Sequence, residues 1–137
     1  MAFANFDGGM PAPCVKNCSA PSARGGIQDL RAAWLAACRC ENLAAASCYY
    51  GRHIVGLKDE TPRCPTILHF GTEDSSIPLS DVEAVREAHP DLPVHVYEAG
   101  HGFNRDVGDH YQPDAAHLAR LRTLQLFHRA SGVKGEV

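Results

Sequence analysis

The chain has 137 residues, of which 45% are hydrophobic and 21% charged, and its formal charge at pH 7 is −3. That is enough apolar content for one small core, and a pI near 6.2 excludes the basic surface of a nucleic-acid or anionic-membrane binder. No stretch reaches the roughly 18 consecutive apolar residues of a membrane span. The first residues lack the basic and continuous apolar regions of a secretory leader, so the expected location is cytoplasmic.

Residues 1–26 are rich in Gly, Pro, Ser and Ala and keep no period of 2 or 3.6, so an irregular or disordered arm is expected there. The arm carries Cys14 and Cys18; Cys38, Cys40, Cys48 and Cys64 follow. Without a secretion signal these six thiols do not imply a disulfide framework. A zinc site would join Cys14 and Cys18 to Cys38 and Cys40. The single residue between Cys38 and Cys40 is tighter than a zinc knuckle, and both sit in a helical stretch. Unliganded thiols, no metal and no cofactor are therefore expected.

From Ile27 to Cys40 the residues Ile27, Leu30, Ala33, Trp34, Ala37 and Cys38 fall near helical spacing. Leu43 to Tyr50 is a short apolar run closed by Gly51, consistent with a buried strand, and the polar stretch 52–63 reads as a loop. Cys64 to Phe70 is the clearest strand, ended by Gly71. Residues 79–88 predict a helix in which Ser80 and Glu83 have capping-box spacing, with Leu79, Val82 and Val85 as its apolar stripe. Pro93 to Tyr97 alternates as a further strand. Residues 113–130 predict an amphipathic helix with Leu118, Leu121, Leu124 and Phe127 inward and Arg120, Arg122 and Arg129 outward. The division expected is an arm (1–26), an α/β portion (27–132) and a tail (133–137). Strands separated by crossover helices imply about three parallel strands with flanking helices.

Functional residues of such sheets sit in loops at the carboxyl ends of strands. That rule selects GTEDSSIP after Phe70 and EAGHGFNRD after Tyr97. Asp74 stands in the first loop and His101, between two glycines, in the second. Neighbouring strands would bring them together as the acid and base of a nucleophile–His–acid triad, the carboxylate fixing the imidazole tautomer. The competing reading is that Asp74 only forms its own turn and His101 is an ordinary loop histidine.

The segments FGTEDSSIP, VYEAGHGFNR, Tyr111 and AAHLARLRTLQLF, with AAWLAAC and YYG upstream, together resemble the dienelactone hydrolase (carboxymethylenebutenolidase) family. The resemblance implies the C-terminal half of an α/β-hydrolase fold. It assigns Asp74 as triad acid, His101 as general base, Arg105 as the partner of a substrate carboxylate, and Tyr50 as part of the pocket lining. The implied activity is hydrolysis of a small carboxylate-bearing ester or lactone. The family places a cysteine, or serine in related esterases, in a G-x-C-x-G elbow before the AAWLAAC-type helix. The same alignment puts Ile27 at that position, within GGIQDL, so a truncated chain lacking the elbow nucleophile is expected. The alternative is a catalytically inactive remnant serving as an interaction module. The strand 43–50 would leave an open sheet edge, to be covered by a second copy, a chain bearing the N-terminal half, or the arm. No nucleic-acid or membrane partner is expected.

Overall fold

The computed structural model describes residues 2–6, 31–39, 43–105 and 109–130. Four parallel strands, β1 (Ala2–Phe6), β2 (Leu43–Tyr49), β3 (Thr66–Gly71) and β4 (Val94–Tyr97), form one sheet in sequential order. Helices α1 (Arg31–Arg39), α2 (Leu79–Ala88) and α3 (Pro113–Ala130) accompany them. The expectation of parallel strands with flanking helices is met by β2, β3 and β4.

β1 is an addition. It lies in the segment read as irregular and pairs with the edge of β2 that was expected to be open, Phe6 standing opposite Cys48. Five residues, AFANF, are too few to display a period, and pairing with a strand already in place supplies what local pattern does not. Ile27, Cys14, Cys18, Cys40 and the tail 133–137 lie outside the described residues. The polar stretch after β2 is not wholly loop, since Arg52–Leu57 forms a 3-10 turn.

Because the strands advance in one direction, crossovers of one hand place α1 and α2 on the same face of the sheet. This is the apolar side. Ala33, Trp34, Ala37 and Cys38 of α1 are buried, as are Val82 and Val85 of α2, with Cys48, Leu68 and Phe70 from the strands. The Trp34 indole N–H donates to the Leu57 carbonyl at 3.2 Å and its ring meets His89 edge-on. Cys38, Cys48 and Cys64 are free thiols; burial pushes Cys38 up to about 12 and raises Cys48 and Cys64 as well. Among the described residues no His/Cys/Asp/Glu group could hold a metal, and no helix is long and apolar enough to cross a membrane.

α2 begins two residues before the capping-box reading requires. Leu79 is its first residue behind Pro78, so Ser80 lies inside the first turn and is not the N-cap. Glu83 instead accepts from Arg86 at 2.6 Å. Leu79 is exposed, while Val82 and Val85 face inward as expected.

α3 covers the opposite face, and its orientation corrects the amphipathic reading in part. Phe127 is half-buried and Arg120 and Arg129 are exposed as expected, but the leucines and Arg122 are not placed as expected. Ala116, Ala119 and Thr123 are buried, whereas Leu118, Leu121 and Leu124 are 41%, 52% and 64% exposed. The reason lies in the sheet. Tyr49 and His69 stand on this face, and Tyr97 and Phe103 pack beside them. Those rings fill the interlayer space, so the helix approaches with small residues. The Thr123 hydroxyl meets Ser47 Oγ at 2.8 Å, Tyr49 OH at 3.1 Å and His69 Nε2 at 3.1 Å, a full set for one donor and two lone pairs. Arg122, expected outward, turns to the sheet and donates to Tyr97 OH at 3.1 Å.

Candidate active site

Both chemistry-bearing loops leave the carboxyl ends of paired strands. Gly71 ends β3 opposite Tyr97, which ends β4. Beyond the sheet the chains stay joined: Thr72 N–H donates to the Tyr97 carbonyl at 2.8 Å and Glu73 N–H to Ala99 at 3.1 Å. Gly71 makes this approach sterically feasible, since a Cβ there would lie 2.2 Å from the Ala99 oxygen.

This brings Asp74 and His101 together. His101 Nδ1–H donates to Asp74 Oδ2 at 2.6 Å. Asp74 Oδ1 accepts the Ser76 N–H at 2.8 Å, so the turn-forming role and the histidine-orienting role are both filled, one by each oxygen. The Asp74 side chain is 0% exposed and that of His101 44% exposed. With Nδ1 engaged inward, the neutral ring keeps Nε2 as its acceptor. Gly102 turns the chain at φ +85°, a conformation suited to glycine.

Tyr50 is buried just past β2. Its ring centroid is 5.1 Å from that of His101, and its ring packs edge-on against Phe103. Arg105 is exposed on the His101 loop, its N–H closing a turn onto the Gly102 carbonyl at 2.9 Å. The sequence reading missed Asn104 and Arg120. Arg120 Nε donates to Asn104 Oδ1 at 3.0 Å and its Nη2 to the Asn104 carbonyl at 3.2 Å, fastening the loop to α3. Arg120 was expected to face outward and is exposed, but no local pattern announces a partner sixteen positions away.

A buried carboxylate oriented on the inner nitrogen of a half-exposed imidazole, at the carboxyl edge of a parallel sheet, is the acid–base arrangement of α/β hydrolases. Comparison with known proteins agrees. The model of the dienelactone hydrolase family matches residues 30–131. A carboxymethylenebutenolidase-type protein of Azospirillum brasilense is 33% identical over 127 residues, covering 87% of this chain and 54% of the relative. The carboxymethylenebutenolidase of Pseudomonas sp. (strain P51) is 30% identical over 92 residues, covering 61% of this chain and 39% of the relative. A crystal structure of a dienelactone-hydrolase-type protein from Klebsiella pneumoniae superposes with a TM-score of 0.65 at 29% identity, over 71% of this chain and 47% of that one. The chain belongs to the dienelactone hydrolase family. It spans about half the length, or less, of the relatives named here, and Ile27 falls just before the matched stretch.

Proposed function

We propose that this chain carries the acid–base half of a hydrolase site for small esters or lactones bearing a carboxylate. The observation that carries the reading is the 2.6 Å contact of His101 Nδ1 with the buried Asp74 carboxylate, which leaves Nε2 as the proton acceptor. In the reaction Nε2 takes a proton from the attacking group as it adds to the ester carbonyl. Asp74 stabilises the imidazolium so formed, and His101 then returns the proton to the leaving oxygen. Arg105 would pair with the substrate carboxylate through charge-assisted hydrogen bonds, and the Tyr50 ring would form a wall beside His101. With Ile27 at the elbow position the attacking group is water, and turnover is expected to be slow beside that of an enzyme with a side-chain nucleophile. With β1 pairing the edge of β2, the edge still open on that side is that of β1, and it is proposed to be covered by a second copy or by a chain supplying the N-terminal half, which native mass measurement reads directly.

The test is hydrolysis of p-nitrophenyl acetate and of a dienelactone by the purified chain beside His101→Ala and Asp74→Ala. The expected result is turnover above buffer that His101→Ala lowers by roughly 10²-fold. Turnover absent, or indifferent to His101, would leave the inactive interaction module as the reading. Loss of activity on alkylating one cysteine would identify a thiol nucleophile in place of water.

A further inference from the structure

The loop that carries His101 leaves β4, yet its support comes from two strands away. β4 pairs with β3, and β3 with β2; Tyr50, immediately after β2, reaches across the end of β3 to the histidine loop. Its hydroxyl accepts the backbone N–H of Asn104 at 2.6 Å. Asn104 is held from the other side by Arg120 of α3 through its side-chain and main-chain oxygens. The segment 101–105, freed to fold back by Gly102, is thus fixed between β2 and α3.

Tyr50 itself is in an unfavourable backbone state. Its φ of +53° is the positive value among the described non-glycine residues, and an aromatic side chain there is sterically disfavoured. Such a conformation persists only where surrounding contacts over-determine it, and these cluster at functional sites. Here the contacts are identifiable: the buried ring lies against His101 and Phe103, and the hydroxyl is on Asn104. A pocket wall would need the ring alone. A left-handed backbone that aims a phenol at a main-chain N–H three residues beyond the histidine serves alignment as well.

We propose that Tyr50 is a positioning residue for His101, its hydroxyl anchoring the Asn104 N–H so that Nδ1 of the imidazole stays on Asp74. The inference rests on the acid–base reading above. Removing the hydroxyl lets the loop move, and the Asp74–His101 hydrogen bond, which selects the Nδ1-protonated tautomer, is the contact that loosens.

The test compares Tyr50→Phe, which keeps the ring, with wild type in the full chain. Histidine-selective ¹⁵N labelling reads the His101 tautomer, assigned through His101→Gln, and p-nitrophenyl acetate hydrolysis reads kcat and KM. The expected result is a shift of His101 towards the Nε2-protonated tautomer and faster exchange of the Asn104 amide. A loss of kcat of roughly tenfold with KM unchanged should accompany them. A purely structural role would lower Tm while the folded fraction kept the wild-type tautomer and kcat, and that outcome overturns the proposal. If wild type shows no turnover, the hydrolase reading fails, and the tautomer comparison still decides the role of Tyr50. Should Tyr50→Phe not fold, Arg120→Ala releases Asn104 from the helix side. The same direction of tautomer shift supports the proposal, and an unchanged tautomer overturns it.

Discussion

At Gly71 the two loops of the site come too close for a side chain. A Cβ would stand 2.2 Å from the Ala99 oxygen and 3.0 Å from its carbonyl carbon, both main-chain atoms with no rotamer to change. Gly71→Ala should therefore force the strand ends apart. The expected cost is that of overpacking, roughly 1–3 kcal/mol, seen as a lower urea midpoint at unchanged m-value. Ala99 lies two residues before His101, so the displacement passes to the base, and ester hydrolysis should fall more than stability alone explains. Gly56→Ala is the control: nothing lies within 4 Å of its Cβ, and the change should stay within about 0.5 kcal/mol. Equal effects of the two substitutions would show that the Gly71–Ala99 approach is not what sets the loop geometry.

α3 is the element whose orientation sequence pattern alone misassigns, and it can be tested by reversing the pattern. Ala119 is fully buried under the sheet, whereas Leu124 is 64% exposed. Ala119→Leu should destabilise by roughly 1–3 kcal/mol through overpacking, and Leu124→Gln should change stability by no more than about 0.5 kcal/mol. Thermal unfolding of the two variants checks the order; the amphipathic reading demands the opposite one. The contrast shows what the sequence made legible. β2, β3 and β4 and the paired loops of Asp74 and His101 could be placed because strand propensity and the carboxyl-end rule act locally. The inward face of α3 could not, because it is decided by Tyr49, His69 and Tyr97, rings on other elements that leave room only for alanine and threonine. β1 was hidden because its stability comes from pairing. The Asn104–Arg120 clamp was hidden because it joins positions related only by the fold. Asp74 itself was left between turn-former and catalytic acid by its sequence context, and the structure gives it both contacts.

The molecule as a whole has an apolar face and a polar face to its sheet, and the polar one makes its stability depend on pH. Ser47, Tyr49, His69, Tyr97, Thr123 and Arg122 form one hydrogen-bonded network between sheet and α3. Arg122 donates to Tyr97 OH, which lies 2.9 Å from His69 Nδ1, while His69 Nε2 meets Thr123 at 3.1 Å. The network accommodates a neutral ring. Burial first, and then His95 and Arg122, lower the His69 pKa to about 3. In the unfolded chain it titrates near the ordinary 6.5, so between about 6.5 and 3 the unfolded state binds more protons and stability rises with pH. The contribution is complete above about 6.5 and is lost as pH falls towards 3, with a slope of up to roughly 1.4 kcal/mol per pH unit for one proton. His95, lowered mainly by its own burial, adds in the same direction. Burial raises the Tyr97 phenol, so its share is present below the ordinary tyrosine range and lost as pH rises through it. The network is therefore most stabilising between the two. Urea unfolding at pH 7.5, 6.5 and 5.5 isolates the histidine part, because most carboxylates remain ionised over that range. Wild-type midpoints should fall with pH, whereas His69→Gln should start lower at pH 7.5 and change less. Parallel slopes in the two proteins would place the acid sensitivity elsewhere than in this buried histidine.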